Sequence, residues 1–438
     1  MDNCIVWFTN DLRLHDNEAL WRATQKSQYL IPVYCFDKRH FADTTLGFKK
    51  TGSFRAKFLL ESVANLQANF RKLGTELIIL HGKPEEEIFE FAKTVQAKAV
   101  YGSKEVCAEE VQVEQSLEKK LNSLGIELKL YWQSTLLHTE DLPYPIRNLP
   151  DIFTDFRKSC EKIIKVRSTF DTPKKILSLP ISFFAEKNQG YFQIPNLADF
   201  GMSTANPDRR AVLDFVGGED AALQRLENYF WVQDKLKVYK ETRNELIGAD
   251  YSSKFSAWLA LGCISPRKIY EEIANYELKR VKNESTYWLF FELLWRDYFR
   301  FVAKKYDNKL FILEGLRANQ KALNWREDKQ DFENWKEGKT GLAFVDANML
   351  ELKNTGFMSN RGRQNVASFL TKDLKINWQW GASYFESQLI DYDVCSNWGN
   401  WTYMAGVGND PRENRYFNIA GQAKRYDEKG EYVRLWLI

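Results

Sequence analysis

The chain has 438 residues, of which 44% are hydrophobic and 28% are charged, and its formal net charge is only +3. This composition is typical of a globular protein of two or three domains, and it excludes disordered, collagen-like and coiled-coil chains. The N-terminus lacks the basic and apolar segments of a signal peptide, and no apolar stretch reaches membrane length, so we expect a cytoplasmic protein with no membrane partner.

Residues 1–134 alternate between short apolar runs and amphipathic stretches. The apolar runs are predicted strands: Cys4–Phe8, Leu30–Phe36, Glu76–Leu80, Lys98–Tyr101 and Ile126–Trp132. The longest amphipathic stretches are predicted helices: Ser53–Leu73, Pro84–Val95 and Ala108–Leu124. This alternation predicts an α/β, Rossmann-like domain with a parallel sheet covered by helices. No Gly-x-Gly-x-x-Gly follows the first strand, so a dinucleotide site of the Rossmann type is not expected there.

The remainder of the chain changes character twice. Residues 135–206 are rich in proline and show little periodicity, so we interpret them as a long connector between domains. Residues 207–438 are predicted to form an all-helical domain. Its predicted helices are Gly218–Tyr239, Pro266–Val281, Glu284–Tyr306, Asp346–Thr355, Arg363–Asp373 and Trp380–Leu389.

Histidine and cysteine usage excludes several chemistries. All 4 histidines precede residue 139, so the helical domain by itself cannot build a Ser/His or Cys/His dyad or a His-ligated metal. The 6 cysteines form no Cys-x-x-Cys pair, which argues against a disulfide framework and predicts no metal site.

Polar residues cluster at four places in the predicted helical domain. The serines around Lys254 precede an apolar helical run, where hydroxyls and free N–H groups suit a phosphate; a helix cap with solvated serines is the alternative. Helical spacing places Glu292, Trp295 and Arg296 on one face, for which a structural ion pair is the alternative. A helix starting near residue 360 would likewise align Asn360, Arg363 and Gln364. Residues 391–401 concentrate acids, amides and indoles, and we predict a functional loop there.

With these clusters, the chain resembles the photolyase/cryptochrome flavoproteins, and within them the cryptochrome-DASH branch. The stretches that carry the resemblance follow in the family's order: Trp7–Asn17, Trp288–Phe301, Gly341–Asn348, Thr355–Leu370 and Asp391–Asp410. The resemblance implies FAD held between helices of residues 207–438. It also implies light-driven electron transfer from reduced flavin to a cyclobutane pyrimidine dimer in DNA.

By position, the resemblance assigns the cofactor-binding residues. Those expected at the FAD diphosphate are Tyr239, Ser252, Ser253, Lys254, Phe255 and Ser256. Those expected around the ribose and the flavin are Glu292, Arg296, Asn360, Arg363, Asp391, Asp393 and Asn397, with the Asn397 amide against flavin N5.

The resemblance also assigns a lesion pocket. Glu292 is expected to hydrogen-bond the dimer carbonyls, and Trp295, Gln364 and Tyr403 to line the pocket. Photolyases that act on duplex DNA carry Met and Trp at the last two of these positions. This chain has Gln364 and Tyr403 there, and it shares both residues with the DASH branch. Weaker stacking favours single-stranded or looped DNA, and RNA stays open as an alternative strand.

The resemblance implies two further functions, the first from matched positions and the second because the antenna is common in the branch. Trp325, Trp378 and Trp401 match the family's electron-transfer tryptophans, and Glu105 and Glu109 are candidates for binding a methenyltetrahydrofolate antenna. We expect the protein to be a monomer.

The main alternative function is a blue-light photoreceptor or regulator with the same cofactor and little or no repair activity. Repair of the (6-4) photoproduct is disfavoured, because its animal and plant enzymes use active-site histidines that residues 139–438 lack.

Overall fold

The first part of the chain folds around one parallel sheet. A computed structural model describes residues 2–163, 165–206, 208–316, 324–412 and 415–438. The strands are β1 (Asn3–Phe8), β2 (Tyr29–Phe36), β3 (Ile78–His81), β4 (Ala97–Ser103) and β5 (Glu127–Tyr131). They pair in the order β3-β2-β1-β4-β5, and every pairing is parallel. The predicted α/β domain is therefore confirmed.

Four helices accompany this sheet. They are α1 (Glu18–Lys26), α2 (Ser53–Lys72), α3 (Pro84–Thr94) and α4 (Ala108–Asn122). The sequence predicted the last three, with bounds that agree to within two residues. Helix α1 was missed, although Asn17 caps it by accepting a hydrogen bond from the backbone N–H of Leu20.

The predicted connector is not devoid of regular structure. It contains two short helices, α5 (Phe153–Glu161) and α6 (Ile181–Lys187). Phe153 and Phe156 of α5 are buried, so the connector contributes to the core rather than only crossing the surface. The prolines that obscured periodicity lie before, between and after these helices.

The rest of the chain is helical, as predicted. Its helices are α7 (Glu219–Glu227), α8 (Tyr239–Thr242), α9 (Ser256–Ala260), α10 (Pro266–Lys279), α11 (Glu284–Tyr306), α12 (Lys329–Lys336), α13 (Ala343–Thr355), α14 (Asn360–Ser368), α15 (Trp378–Gln388), α16 (Val394–Ala405), α17 (Ile419–Tyr426) and α18 (Glu431–Leu437). Helix α11 has the predicted bounds. Within the described residues, none of these helices is both long and apolar enough to span a membrane.

The prediction of a functional loop over residues 391–401 is wrong for most of its length, because α16 begins at Val394. Asp393 caps α16 by accepting a hydrogen bond from the N–H of Ser396 at 2.8 Å. Gly399 lies inside the helix instead of in a turn: a Cβ there would come within 2.4 Å of the Phe299 ring. The glycine therefore allows α16 to pack closely against α11.

Helix α11 also joins the α/β part to the helical part. Asp297 accepts hydrogen bonds from the backbone N–H groups of Leu136 (3.0 Å) and Leu137 (2.8 Å). Arg300 donates to Glu105 of the α/β part at 2.8 Å. Buried charges require such partners, so α11 fixes the relative position of the two parts.

Candidate functional site

One face of α11 presents a carboxylate and an indole. The guanidinium of Arg243 donates a hydrogen bond to the carboxylate of Glu292. Trp295 stacks on Phe153, with ring centroids 3.6 Å apart and planes at 12°. Its edge contact with Tyr403, at 6.1 Å, joins two of the predicted lesion-pocket residues. Phe153 therefore covers one face of the indole, and Phe299 also stacks against this ring, with centroids 5.6 Å apart.

The remaining lesion-pocket residues are also held by arginines. Arg415 donates to the Tyr403 hydroxyl at 3.2 Å. Arg361 donates to Gln364 Oε1 at 2.7 Å and to Asn244 Oδ1 at 2.9 Å. Asn244 follows Arg243 in the chain, so one short segment connects the Gln364 and Glu292 contacts. Sequence reasoning missed these arginines: the fold brings Arg243 to Glu292 and Arg415 to Tyr403, whereas Arg361 lies three positions before Gln364 on α14.

The loop before α9 is shaped by Arg225 of α7. This guanidinium donates to the backbone carbonyls of Ala249, Ser252 and Ser253, each at 3.1 Å. It also pairs with Asp250 at 2.7 Å. Helix α9 has only five residues, so the loop and its side chains must supply most of any anion site, rather than a helix dipole.

Lys254 is the cation at the centre of this loop. It is only 3% exposed, and in the described part of the chain no carboxylate lies within ion-pair distance of it. Its Nζ lies 3.1 Å from the ring centroid of Tyr251 and 3.4 Å from Ser252 Oγ. Burial lowers the pKa of Lys254 well below its ordinary value. Ser253 and Phe255 are buried beside it, whereas Ser256 is exposed.

A second charged group lies at the start of α14. Arg363 donates to Asp391 Oδ2 at 2.8 Å and to the Met358 carbonyl at 2.9 Å. The other carboxylate oxygen of Asp391 is buried with no hydrogen-bond partner among the described residues. Asn360, at the first position of α14, is exposed. Asn360 and Arg363 are three positions apart on α14, so they share the predicted helical face.

The start of α16 meets α11 through charges. Asp393 Oδ2 lies 3.5 Å from Arg300 and 3.9 Å from Arg296. Burial opposes the charge of Asp393, but Arg300 and then Arg296 hold the pKa of this carboxyl below its ordinary value. One turn further on, Asn397 Nδ2 donates to the Ala382 carbonyl at 3.0 Å, which orients the amide.

Two of the three predicted electron-transfer tryptophans lie on α15 and α16, and the third, Trp325, precedes α12. Trp401 packs against α15 where Gly381 leaves room, because a Cβ at that glycine would be 2.2 Å from the indole. Trp378 is the first residue of α15 and is fully buried. The half-buried Trp325 precedes Arg326, whose backbone bridges to Ile376 beside Trp378. Burial thus decreases from Trp401 and Trp378 toward Trp325.

The two predicted antenna residues differ in environment. Glu105 is buried and pairs with Arg300, and its second oxygen has no partner among the described residues. The exposed Glu109 pairs with Lys50 at 2.5 Å. Its neighbour Glu110, which sequence reasoning missed, carries a buried unpartnered oxygen. Burial, with Glu105 nearby, raises the pKa of Glu110 to about 7.

A separate cavity of about 290 Å³ lies between α2 and residues 205–215. None of the predicted site residues lines it. Its Phe215 wall lies 5.0 Å from Phe357 between ring centroids, and the Phe357 ring is 5.5 Å from Lys254 Nζ. The cavity therefore lies behind the Lys254 loop rather than in it.

Comparison with known proteins identifies both parts of the chain. A family model described as DNA photolyase matches residues 4–175, and one described as the FAD binding domain of DNA photolyase matches residues 288–438. Cryptochrome DASH of Synechocystis sp. is 55% identical over 437 residues, which cover 99% of this chain and 87% of that protein.

Solved structures share the whole architecture. The crystal structure of a Synechocystis sp. PCC6803 cryptochrome matches with a TM-score of 0.94 and 54% identity, covering 100% of this chain and 89% of that one. An archaeal photolyase from Sulfolobus tokodaii, solved with two FAD molecules, matches with a TM-score of 0.80 and 26% identity, covering 99% and 90%.

The buried polar groups of the site fit FAD. Three of them have no hydrogen-bond partner in the described part of the chain: the Tyr251 hydroxyl, Arg296 Nε and Asp391 Oδ1. Lys254 adds a buried cation without a counter-charge within ion-pair distance. Leaving such groups unpaired is costly. A diphosphate would neutralise Lys254, and the hydroxyl and ring nitrogen groups of FAD would satisfy the other three.

Lys254→Met tests this assignment. We expect FAD affinity to fall at least about tenfold, because a charge-assisted contact with the diphosphate is lost. The stability of the FAD-free protein should not fall, since a buried amine without a carboxylate partner is replaced by an apolar side chain. The measurements are a fluorescence titration of the apoprotein with FAD and urea unfolding.

Lys57→Met is the matched control, because Lys57 pairs with Glu61 on α2. It should leave FAD affinity unchanged. Equal affinities for the two variants would contradict the assignment of Lys254.

Proposed function

Because the chain belongs to the photolyase/cryptochrome family, and within it to the cryptochrome DASH group, we propose that it repairs cyclobutane pyrimidine dimers in DNA with blue light. Its helical domain binds FAD. The observation that supports repair most strongly is the layout of α11. Glu292 and Trp295 on this helix are within two turns of Arg296 and Arg300, which contact the cap of α16.

Bound reduced FAD, on excitation, supplies the electron that splits the dimer. The protein must then hold the lesion and stabilise its negative charge. An ionised carboxylate only accepts hydrogen bonds, so Glu292, paired with Arg243, is suited to pyrimidine N–H groups. In the same arrangement Arg243 can donate to the carbonyls on which charge develops. This division of roles refines the expectation that Glu292 itself contacts the carbonyls.

The Asn397 amide is suited to the flavin edge. Its Nδ2 is committed to the Ala382 carbonyl, which leaves Oδ1 to accept a hydrogen bond from a protonated flavin N5. A fixed acceptor at that atom favours the protonated form.

The proposed substrate is single-stranded or looped DNA. Phe153 covers one face of Trp295, and Gln364 is hydrogen-bonded to Arg361, so the pocket offers little aromatic surface to an extracted dimer. Stacking on an aromatic side chain contributes roughly 1–3 kcal/mol per base, and extracting a nucleotide from a duplex costs a few kcal/mol. With reduced stacking, an already unpaired strand is the better substrate. RNA is not distinguished by these contacts.

Repair of one thymine-dimer oligonucleotide, offered single-stranded and as duplex, tests the strand preference. The chemically reduced protein under blue light should repair the single strand at least about tenfold faster, because the duplex adds the extraction cost of a few kcal/mol. Equal rates would contradict the preference. Repair of neither strand by protein with photoreducible FAD would indicate a photoreceptor instead.

We further propose that Trp401, Trp378 and Trp325 carry an electron to oxidised FAD. The buried positions of the first two and the half-exposed third support a route from flavin to surface.

Trp401→Phe and Trp378→Phe should each abolish most photoreduction of oxidised FAD, because phenylalanine is far harder to oxidise than tryptophan. After chemical reduction, both variants should still repair dimers. Absorbance under blue light measures the first effect, and Trp231→Phe, in the turn that follows α7, is the control. Photoreduction at the parent rate in both variants would exclude this route.

An antenna of methenyltetrahydrofolate is proposed near the end of β4. The unpartnered oxygens of Glu105 and Glu110 support these two residues as its ligands more strongly than Glu109, which is exposed and paired with Lys50. All six cysteines are free, which supports the proposed reducing, cytoplasmic location. We also propose that the protein acts as a monomer.

A further inference from the structure

Cys107 and Cys395 form a thiol pair across the interface between the α/β part and the helical part. Their Sγ atoms are 3.4 Å apart, although the residues are 288 positions apart in the chain. Both side chains are buried, with exposures of 3% and 0%. No other pair of thiols is in contact within the described ranges. Cys107 immediately precedes α4 and Cys395 is the second residue of α16, where the two parts meet.

We propose that this pair is a site of oxidative modification, at which hydrogen peroxide forms a disulfide that covalently joins the α/β part to the flavin-binding helix α16. Neither the antenna assignment nor the repair reaction uses these thiols. The oxidant would be a small peroxide, because bulkier oxidants such as disulfide compounds cannot reach two sulfur atoms that are this deeply buried.

The charges around the pair distinguish the two cysteines. Cys395 lies in the first turn of the twelve-residue helix α16, whose cap residue Asp393 faces Arg300 and Arg296. The hydrogen bond with Cys395 and then burial raise the pKa of Cys107, and Glu110 acts in the same direction. Because its raised pKa disfavours a Cys107 thiolate, we assign Cys395 as the attacking thiol and Cys107 as the resolving one.

The reaction balances with one equivalent of peroxide. The Cys395 thiolate attacks one peroxide oxygen, the O–O bond breaks, and the leaving hydroxide takes up a proton to become water. Cys107 then attacks the sulfur of the resulting sulfenic acid. The S–O bond breaks, the S–S bond forms, and a second water leaves. Two thiols lose two electrons, and hydrogen peroxide is reduced to two waters.

The location gives this modification a consequence for the flavin site. Cys395 stands between Asp393, which caps α16 and faces Arg300, and Asn397, which is oriented toward Ala382. A bond between the sulfurs holds the first turn of α16 against the α/β part. Dioxygen yields hydrogen peroxide when it reoxidises a reduced flavin. This internal source of peroxide rests on the proposed function, whereas the contact between the two thiols is independent of it.

The test uses the purified protein in the dark, with and without hydrogen peroxide, followed by alkylation, proteolysis without reductant and mass spectrometry. We expect a Cys107–Cys395 linked peptide in most molecules, which dithiothreitol removes. Cross-linking a loop this long should raise the unfolding temperature by about 4 °C. FAD should dissociate more slowly from the linked form, because α16 is held in place.

Cys107→Ala and Cys395→Ala should each abolish the linked peptide, whereas Cys160→Ala, a buried cysteine elsewhere, should retain it. The decisive result comes from the unsubstituted protein, so a variant that folds poorly does not affect it. Absence of the linked peptide after peroxide treatment, with Cys395 either intact or oxidised to sulfinic acid, would overturn the proposal. The assay uses neither light nor DNA, so its failure and a failure of repair are independent.

Discussion

The structure depends on a row of charges buried in α11. Arg296, Asp297 and Arg300 lie on a helix that is otherwise largely apolar, and each makes hydrogen bonds or ion pairs with residues far away in the chain. Arg296 donates to the carbonyls of Ser134 and Leu259, and Asp297 accepts from the backbone of residues 136 and 137. Burial raises the pKa of Asp297 to about 7 although two backbone N–H groups donate to it. The ionised carboxylate therefore depends on these two hydrogen bonds. A buried charge tolerates few alternative arrangements, and the row therefore fixes how the domains meet.

This constraint also positions the site. Arg300 joins Glu105 of the α/β part to Asp393, which caps α16. Because α16 then carries Asn397, Trp401 and Tyr403, the same contacts orient three residues that we propose at the flavin edge, in electron transfer and in the lesion pocket. Gly399 completes the arrangement by admitting the Phe299 ring against α16. The proposed lesion pocket and flavin-edge contacts are thus built largely on packed helices, which hold distances more fixed than loops do, whereas the proposed diphosphate contacts come from the loop around Lys254.

Much of this arrangement is legible in the sequence, for reasons that differ between elements. Strand–helix alternation was enough for the parallel sheet, and the long apolar period of α11 gave its bounds. Helix α16 was mistaken for a loop because a glycine among polar residues usually marks a turn, and only the opposing Phe299 explains it. The contacts of Arg225 with the Lys254 loop, of Arg243 with Glu292 and of Cys107 with Cys395 join segments that are distant in the chain, so no local pattern could reveal them.

The central claim is that α11 holds the lesion for an electron that FAD supplies. Blue-light repair by the unsubstituted protein and by Glu292→Gln, both fully loaded with reduced FAD, tests it most directly. The account predicts that the variant keeps its FAD and its photoreduction but repairs a single-stranded thymine dimer at least about tenfold more slowly, as loss of a charge-assisted contact implies. Repair by both proteins at the same rate would contradict it.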